Sequence, residues 1–286
     1  MPLLLTIVLC AAFGGIASAA FAVVFLWVRE EHSALILPHF ISFATGALLG
    51  AALLALLPEA MERAGPASAH GIGVALIAGL GMFFIIEKLV LWWHAHAHED
   101  GSALACPQHA DEVADDHTAR DNEHPGHGHG THDHARDRAS GVLVLVGDSL
   151  HNALDGVLIA AAFLSSTSLG FLTTLAVAAH EIPHRVGDFA ILVQAGLSRP
   201  RALLLNLMTG IASVVGAIAA YFGLRQSMGV LPYALAVAAA GFLYIAVANL
   251  IPGLHRRSDP RTSAVQIVLI GAGIAVIAVA ERIAGE

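Results

Sequence analysis

The chain has 286 residues, 57% of them hydrophobic and 13% charged, and a mean hydropathy of +0.73. This composition lies outside the range of soluble globular domains. Most of the formal net charge of −8 comes from residues 94–140, which hold ten acidic and three basic residues, so no basic surface for nucleic acid is present. We therefore predict an integral membrane protein whose partner is the lipid bilayer.

Eight apolar runs are long enough to cross a bilayer as helices, since a span needs about 20 residues. Their hydrophobicity extends around the whole helix and does not alternate, which favours an all-α membrane protein over a β-barrel. The runs are residues 4–28, 34–57, 71–93, 141–163, 169–196, 201–224, 230–251 and 264–283. We predict three transmembrane helices in residues 1–93, a loop over 94–140 and five helices in 141–286, forming one membrane domain.

The arginines of the connecting segments predict the orientation of the chain. With both termini on the non-cytoplasmic side, nine arginines fall in inner loops and three in outer segments. Because positive charge accumulates on the cytoplasmic side, both termini are predicted to be non-cytoplasmic and the 94–140 loop cytoplasmic. The compactness of the chain suggests a bacterial inner (plasma) membrane.

The 94–140 loop is rich in histidine, glycine and aspartate and has few large apolar residues. Such a segment cannot bury a core, so it is predicted to be disordered. Spaced histidines among carboxylates are typical of loose divalent-metal binding. The candidate ligands are His124, His127, His129, His132 and His134.

Spans four and five each carry a polar face where a membrane helix should be apolar. The side chains on each face lie within about 100° of one another around the helix axis. A charge or imidazole at membrane depth costs several kcal/mol unless it meets a partner or a watery cavity, so we expect the two faces to meet. They consist of Asp148, His151, Asn152 and Asp155 in span four, and His180, Glu181, His184 and Asp188 in span five.

These side chains offer imidazole, carboxylate and amide ligands and no thiolate. That set suits Zn²⁺ best and is compatible with Fe²⁺, Mn²⁺, Co²⁺ or Cd²⁺. They outnumber the ligands of one tetrahedral ion, and two adjacent sites sharing Asp155 and His184 would use them all. Arg185 borders the face in span five, and we expect it to pair with Glu181 or Asp188 and to tune the charge of the site.

Two other functions share these residues. The sequence His-Glu-Ile-Pro-His over 180–184 matches the H-E-x-x-H motif of zinc proteases, and Leu-Asp-Gly over 154–156 is a tripeptide found in intramembrane proteases. In those proteases the tripeptide follows the H-E-x-x-H helix, whereas here it precedes it. A metal sensor that moves no ions would also need these ligands. We expect a transporter and no enzymatic activity.

The paired motifs His151-Asn152-x-x-Asp155-Gly156 and His180-Glu181-x-Pro183-His184-x-x-Gly187-Asp188 resemble the signatures of the ZIP (Zrt/Irt-like) metal-ion transporters. They are most similar to the histidine-rich, zinc-transporting branch of that family. The resemblance implies eight spans, with inverted three-helix repeats flanking the central pair of helices, and a homodimer. It also implies import of metal into the cytoplasm.

The resemblance further implies a binuclear site in which Zn²⁺ is the transported substrate. One ion would meet His151, Asp155, His180 and His184, and a second would meet Asn152, Asp155, Glu181 and His184. The sequence departs from the family at several places on the path, among them Ala51, Ala55, Asn249 and Gly253. Arg185 stands where many relatives have glutamate, and Ser213 stands where some have a metal-binding glutamate, which weakens the predicted second site.

Overall fold

The computed structural model describes residues 2–18, 30–99, 130–255 and 259–285. Within these ranges the chain is almost entirely helical and contains no strand. The all-α class predicted from the all-round hydrophobicity of the spans is therefore confirmed. The side chains of residues 30–35, 90–99 and 130–144 are not described.

Eight long helical segments run through the described residues, one in each predicted span. Three of them contain a π-helical stretch. The segments are α1 (Pro2–Ala12, with a π turn over Phe13–Ala17), α2 (Glu30–Gly50, π-helical over Ala51–Leu56, then Leu57–Ala64), α3 (Ala69–Glu99), α4 (Gly130–Ser165), α5 (Thr167–Gln194), α6 (Arg199–Arg225), α7 (Leu231–Tyr244, π-helical over Ile245–Leu250, then Ile251–Leu254) and α8 (Pro260–Gly285). Both α3 and α4 extend into the range predicted as a loop.

Five of the described segments are long and apolar enough to cross a membrane, which establishes an integral membrane protein. They are Ile36–Ala64, Pro66–Leu89, Arg199–Arg225, Met228–Leu254 and Pro260–Ile283. The described part of α1 gives a shorter apolar helix, Pro2–Ile16. The helices α4 and α5 carry the polar faces and are not among the five, so eight crossings stay a prediction.

Two helices break their α-helical pattern at matching places. The π-helical stretch Ala51–Leu56 of α2 ends two residues before Pro58, and Ile245–Leu250 of α7 ends two residues before Pro252. Proline donates no backbone hydrogen bond and its ring crowds the carbonyl four residues earlier, so a wider turn relieves the clash. The helix pairing matches too, since α2 packs on α8 and α3 packs on α7. If α1–α3 and α6–α8 are related three-helix units, α2 corresponds to α7 and α3 to α8. The α2–α8 contact then corresponds to the α3–α7 contact, as observed.

The helices α4 and α6 cross at two glycines. A Cβ atom on Gly156 would lie 1.8 Å from the carbonyl oxygen of Ser213, and one on Gly216 would lie 2.0 Å from that of Ala153. Small residues let helix backbones approach this closely inside a membrane. The crossing holds the polar face of α4 beside α6.

The apolar core occupies the half of the bundle that contains the connection between α4 and α5. It is built from buried small and branched side chains, including Ala52, Leu56, Ile159, Ala176 and Phe242. The polar faces of α4 and α5 lie toward the other ends of these two helices. The bundle therefore has an apolar half and a half that contains buried charge.

A single methyl group tests the crossing of α4 and α6. We expect Gly156→Ala to destabilise the protein by about 1–3 kcal/mol, because the added Cβ overlaps backbone that must move. Gly223→Ala on α6 is the matched control, since nothing lies within 4 Å of its added Cβ. The control should be neutral or stabilising, because alanine favours a helix by up to about 1 kcal/mol over glycine. Equal unfolding temperatures of the two variants in detergent would contradict this packing.

Candidate metal centre

The polar faces of α4 and α5 lie against each other and divide into two groups of side chains. The first cluster consists of His151, Asp155, His180 and Glu181, and one ligand atom from each lies within 4.8 Å of all the others. The second cluster, by the same measure, consists of Asp148, His184 and Asp188. Together they contain seven of the eight polar residues predicted on the two faces.

The distances in the first cluster match a tetrahedral metal site. The Nε2 atoms of His151 and His180 lie 3.3 Å apart, and Nε2 of His180 lies 3.3 Å from Oδ2 of Asp155. Nε2 of His151 lies 3.8 Å from Oε2 of Glu181. Ligands about 2.0–2.1 Å from a tetrahedral zinc ion are about 3.3 Å apart. The two shorter separations equal this value and the third exceeds it by about 0.5 Å, so the four side chains are close enough to share one ion.

The ligand oxygens of the two carboxylates in this cluster are buried, 3.3–4.0 Å from the imidazole nitrogens. Oδ2 of Asp155 and Oε2 of Glu181 accept no hydrogen bond within the described residues, and both side chains are almost fully buried. A buried carboxylate oxygen of this kind is costly unless it binds a cation. Nδ1 of His180 lies 3.1 Å from the carbonyl oxygen of Ala176. Donation from Nδ1 to that carbonyl leaves Nε2 as the metal-binding atom.

The second cluster lies beside the first and is more open. Nδ1 of His184 lies 2.8 Å from Oδ2 of Asp188 and 3.7 Å from Oδ1 of Asp148. The His184 side chain is 41% exposed, whereas Asp148 and Asp188 are buried. The rings of His184 and His151 stack with their centroids 5.2 Å apart. An ion leaving His151 would therefore meet His184 next.

This grouping differs from the two ligand sets that the resemblance implies. Glu181, and not His184, completes the first cluster, because Asp188 holds Nδ1 of His184 one helical turn away. Asn152 joins neither cluster. Its amide nitrogen donates to Oδ1 of Asp148, and its Oδ1 accepts from Arg185.

Arg185 is fully buried and pairs with carboxylates on both helices. Its Nη1 donates to Oδ2 of Asp148 at 3.0 Å, and its Nε lies 2.8 Å from Oε1 of Glu181. The pairing with Glu181 expected from the sequence is present. The other carboxylate partner is Asp148, which lies on α4, and not Asp188.

Two residues of α6 complete the surroundings of Arg185, and the sequence reasoning did not identify them. Asn206 accepts from Nη1 through both its side-chain and backbone oxygens, and its amide donates to the carbonyl of Arg185. Thr209 accepts from the same Nη1. Their signal in the sequence is the spacing of two polar residues, three apart, in an apolar span.

The remaining predicted site residues lie elsewhere. Ser213 is buried near the crossing of α4 and α6, belongs to neither cluster, and its hydroxyl has no hydrogen-bond partner in the described structure. His124, His127 and His129 lie outside the described residues. His132 and His134 lie in the first turns of α4, where side chains are not described. Metal binding by the histidine-rich segment stays a prediction.

A cavity of about 190 Å³ leads to the clusters from one side. His151 and His184 line its inner wall, and Glu87 of α3 and Asn249 of α7 also line it. The hydroxyl of Tyr244 donates to Oε2 of Glu87 at 2.5 Å. The cavity is therefore partly polar, and it gives water access to the first cluster through His151.

The arrangement does not match a zinc protease. In an H-E-x-x-H protease both histidines bind one zinc ion and the glutamate acts on the attacking water. Here His180 and His184 belong to different clusters. Glu181 is fully buried between the first cluster and Arg185, so it is not placed to activate water in an open site.

Comparison with known proteins gives a consistent picture. The family model described as ZIP zinc transporter matches residues 2–281. Zinc transporter ZIP13 of Homo sapiens is 36% identical over 276 residues, which cover 87% of this chain and 72% of that protein. Zinc transporter SLC39A7 of Rattus norvegicus is 31% identical over 325 residues, covering 92% of this chain and 69% of that protein. These relatives are named as transporters and not as enzymes.

The contacts around Arg185 predict a stability difference between two asparagines. We expect Asn206→Ala to destabilise the protein by about 1–3 kcal/mol, because it removes two buried hydrogen bonds, one accepted from Nη1 of Arg185 and one donated to the Arg185 carbonyl oxygen. Asn249→Ala is the matched control, since Asn249 is an exposed residue of the cavity wall. Thermal unfolding of both variants in detergent measures the difference. A control variant as unstable as Asn206→Ala would contradict the assigned role of Asn206.

Proposed function

This chain belongs to the ZIP zinc transporter family, and on that premise we propose that it carries Zn²⁺ through the first cluster into the cytoplasm. The observation that carries the proposal is the buried set of two imidazole nitrogens and two carboxylate oxygens, which accept no hydrogen bond within the described residues. Zinc is the ion that this ligand set suits best. Fe²⁺, Mn²⁺, Co²⁺ and Cd²⁺ are possible competing substrates.

Within the described residues, a cavity reaches the first cluster from one side and apolar core lies on the other, which supports a carrier over a pore. On one side the cavity reaches His151 and His184. On the other side the apolar core, including Leu56 and Ile159, lies between the cluster and the α4–α5 connection. Transport then requires the side that the core covers to open in its turn.

Polar contacts hold the far side closed. Nη2 of Arg63 donates to the carbonyl oxygen of Ser165 at 2.6 Å, and the Ser165 hydroxyl donates to Oε1 of Glu59 at 2.5 Å. These bonds join the end of α2 to the α4–α5 connection. The Arg63 bond is exposed and the Glu59 bond is part-buried, and hydrogen bonds near the surface contribute little net energy and so break readily.

The second cluster supports a route for release. His184 is exposed to the cavity and stacks on His151, so the ion has a neighbouring imidazole toward which to move. Asp148 and Asp188 place carboxylate oxygens beside this imidazole. A transport site must bind its ion loosely enough to release it, and exchange between adjacent ligands serves that requirement.

The direction of transport follows from the proposed orientation. The cavity lies on the side of the clusters away from the α4–α5 connection, and α3 and α4 continue beyond its lining residues Glu87 and Gly147 toward residues 100–129. If that segment is cytoplasmic, as its arginines indicate, this conformation is open to the cytoplasm. Both termini then lie on the non-cytoplasmic side. A plasma-membrane location, in bacteria the inner membrane, and a homodimer complete the proposal.

Uptake into proteoliposomes tests the function. With Zn²⁺ outside and a fluorescent zinc indicator inside, we expect saturable uptake by the wild-type chain. Asp155→Asn and Glu181→Gln should each lower uptake by at least about 100-fold, since even changes outside the ligand shell cost about 10–100-fold in metal affinity. Glu62→Gln, at an exposed glutamate of α2, is the matched control and should transport like the wild type.

The outcomes separate the alternatives. Zinc binding that depends on Asp155, without any uptake, would favour a metal sensor and contradict transport. Uptake that persists in Asp155→Asn would place the ion path elsewhere. Competition by Fe²⁺, Mn²⁺, Co²⁺ or Cd²⁺ in the same assay ranks the substrates.

The two cysteines of the chain test the orientation. In the Cys10→Ala variant, Cys106 is the only thiol and lies within the 94–140 segment. We expect a membrane-impermeant maleimide to label Cys106 only after the cells are permeabilised, because that segment is proposed to be cytoplasmic. Labelling in intact cells would reverse the orientation and with it the proposed direction of transport.

A further inference from the structure

The guanidinium group of Arg185 lies in a pocket made of oxygen atoms. Six oxygen atoms from three helices surround it at hydrogen-bond or ion-pair distance. They belong to Asp148 and Asn152 on α4, Glu181 on α5, and Asn206 and Thr209 on α6. Carboxylate, amide, carbonyl and hydroxyl oxygens in this number are the ligands that divalent cations such as Mn²⁺ and Mg²⁺ take.

Glu181 joins this pocket to the first cluster. Its Oε1 lies 2.8 Å from Nε of Arg185, whereas its Oε2 belongs to the first cluster, 3.8 Å from Nε2 of His151. One carboxylate thus faces two cation positions, one through each oxygen. Where both positions hold metal ions, a carboxylate in this place bridges them.

We propose that Arg185 is a built-in cation that fills a second metal position, so that the intramembrane site takes one divalent ion at a time. This inference rests on the proposed function of the first cluster. It specifies in addition how many ions bind there at once. Arg185 supplies the positive charge that Asp148 and Glu181 require, because neither carboxylate can stay ionised in this buried place without a partner.

The single charge of Arg185 has a consequence for the transported ion. A fixed guanidinium beside Glu181 partly cancels the negative charge of that carboxylate. It therefore weakens the electrostatic attraction between the first cluster and its ion. It also stays in place when the transported ion leaves, so Asp148 and Glu181 keep a charged partner. Both effects favour release of the ion into the cavity.

Replacing Arg185 by glutamate tests the inference. Zn²⁺ bound per chain is measured by equilibrium dialysis of the full-length protein in detergent, at one free Zn²⁺ concentration for all variants. The histidine-rich segment is the same in every variant, so any Zn²⁺ that it binds cancels when the variants are compared with the wild type. We expect Arg185→Glu to bind about one more equivalent than the wild type, because four carboxylates then face two empty cation positions.

Two further variants keep the result interpretable. Arg185→Lys retains the positive charge and should bind no more Zn²⁺ than the wild type. Arg185→Gln removes the charge and puts only a neutral amide in its place, and Zn²⁺ should raise its unfolding temperature more than that of the wild type. If Arg185→Glu folds only with metal bound, the same metal-dependent stabilisation should appear there and counts in favour of the proposal.

Two results would overturn the proposal. One is equal binding by the wild type, Arg185→Lys and Arg185→Glu, with no additional stabilisation of Arg185→Gln by Zn²⁺. The other is a wild-type chain that loses two equivalents on Asp155→Ala. A wild-type chain that loses none on Asp155→Ala would instead contradict the proposed function of the first cluster, so the two failures are distinguishable.

Discussion

The structure depends on one constraint: charged side chains inside a membrane must find partners within the protein. α4 and α5 together carry four carboxylates and an arginine at this depth. An unpaired charge there is costly, whereas a paired or metal-bound one is tolerated. The contact between α4 and α5 and the close crossing of α4 with α6 both serve this requirement. They bring the carboxylates, Arg185 and the polar residues of α6 into one network.

The same helices change character along their length, and this gives the bundle its two halves. α4 carries its buried charges at Asp148 and Asp155 and none from Leu158 onward, and α5 carries no charged residue before His180. Because the two helices are joined by a short connection, their apolar ends meet and pack as a core. Their polar ends meet at the cavity. A binding site that is open on one side and closed on the other follows from this pattern.

The motif over 180–184 shows why a sequence signature needs its structural context. Two histidines four residues apart lie on one face of a helix and are able to bind one metal ion. Here Nδ1 of His184 is hydrogen-bonded to Asp188, and one oxygen of Glu181 is ion-paired with Arg185. With these contacts, His180 and Glu181 belong to the first cluster and His184 belongs to the second.

The sequence by itself determined the all-α membrane class, the approximate helix positions and the two faces that carry ligands. Hydropathy and the 100° step of a helix are local properties, so they could be read from the chain alone. Only the tertiary structure decided how the ligands divide, with Glu181 in the first cluster and His184 in the second. It also brought Asn206 and Thr209 to Arg185. These distances depend on the angles at which α4, α5 and α6 cross and on the depth of each crossing. Neither the angle nor the depth follows from the position of a residue around its own helix.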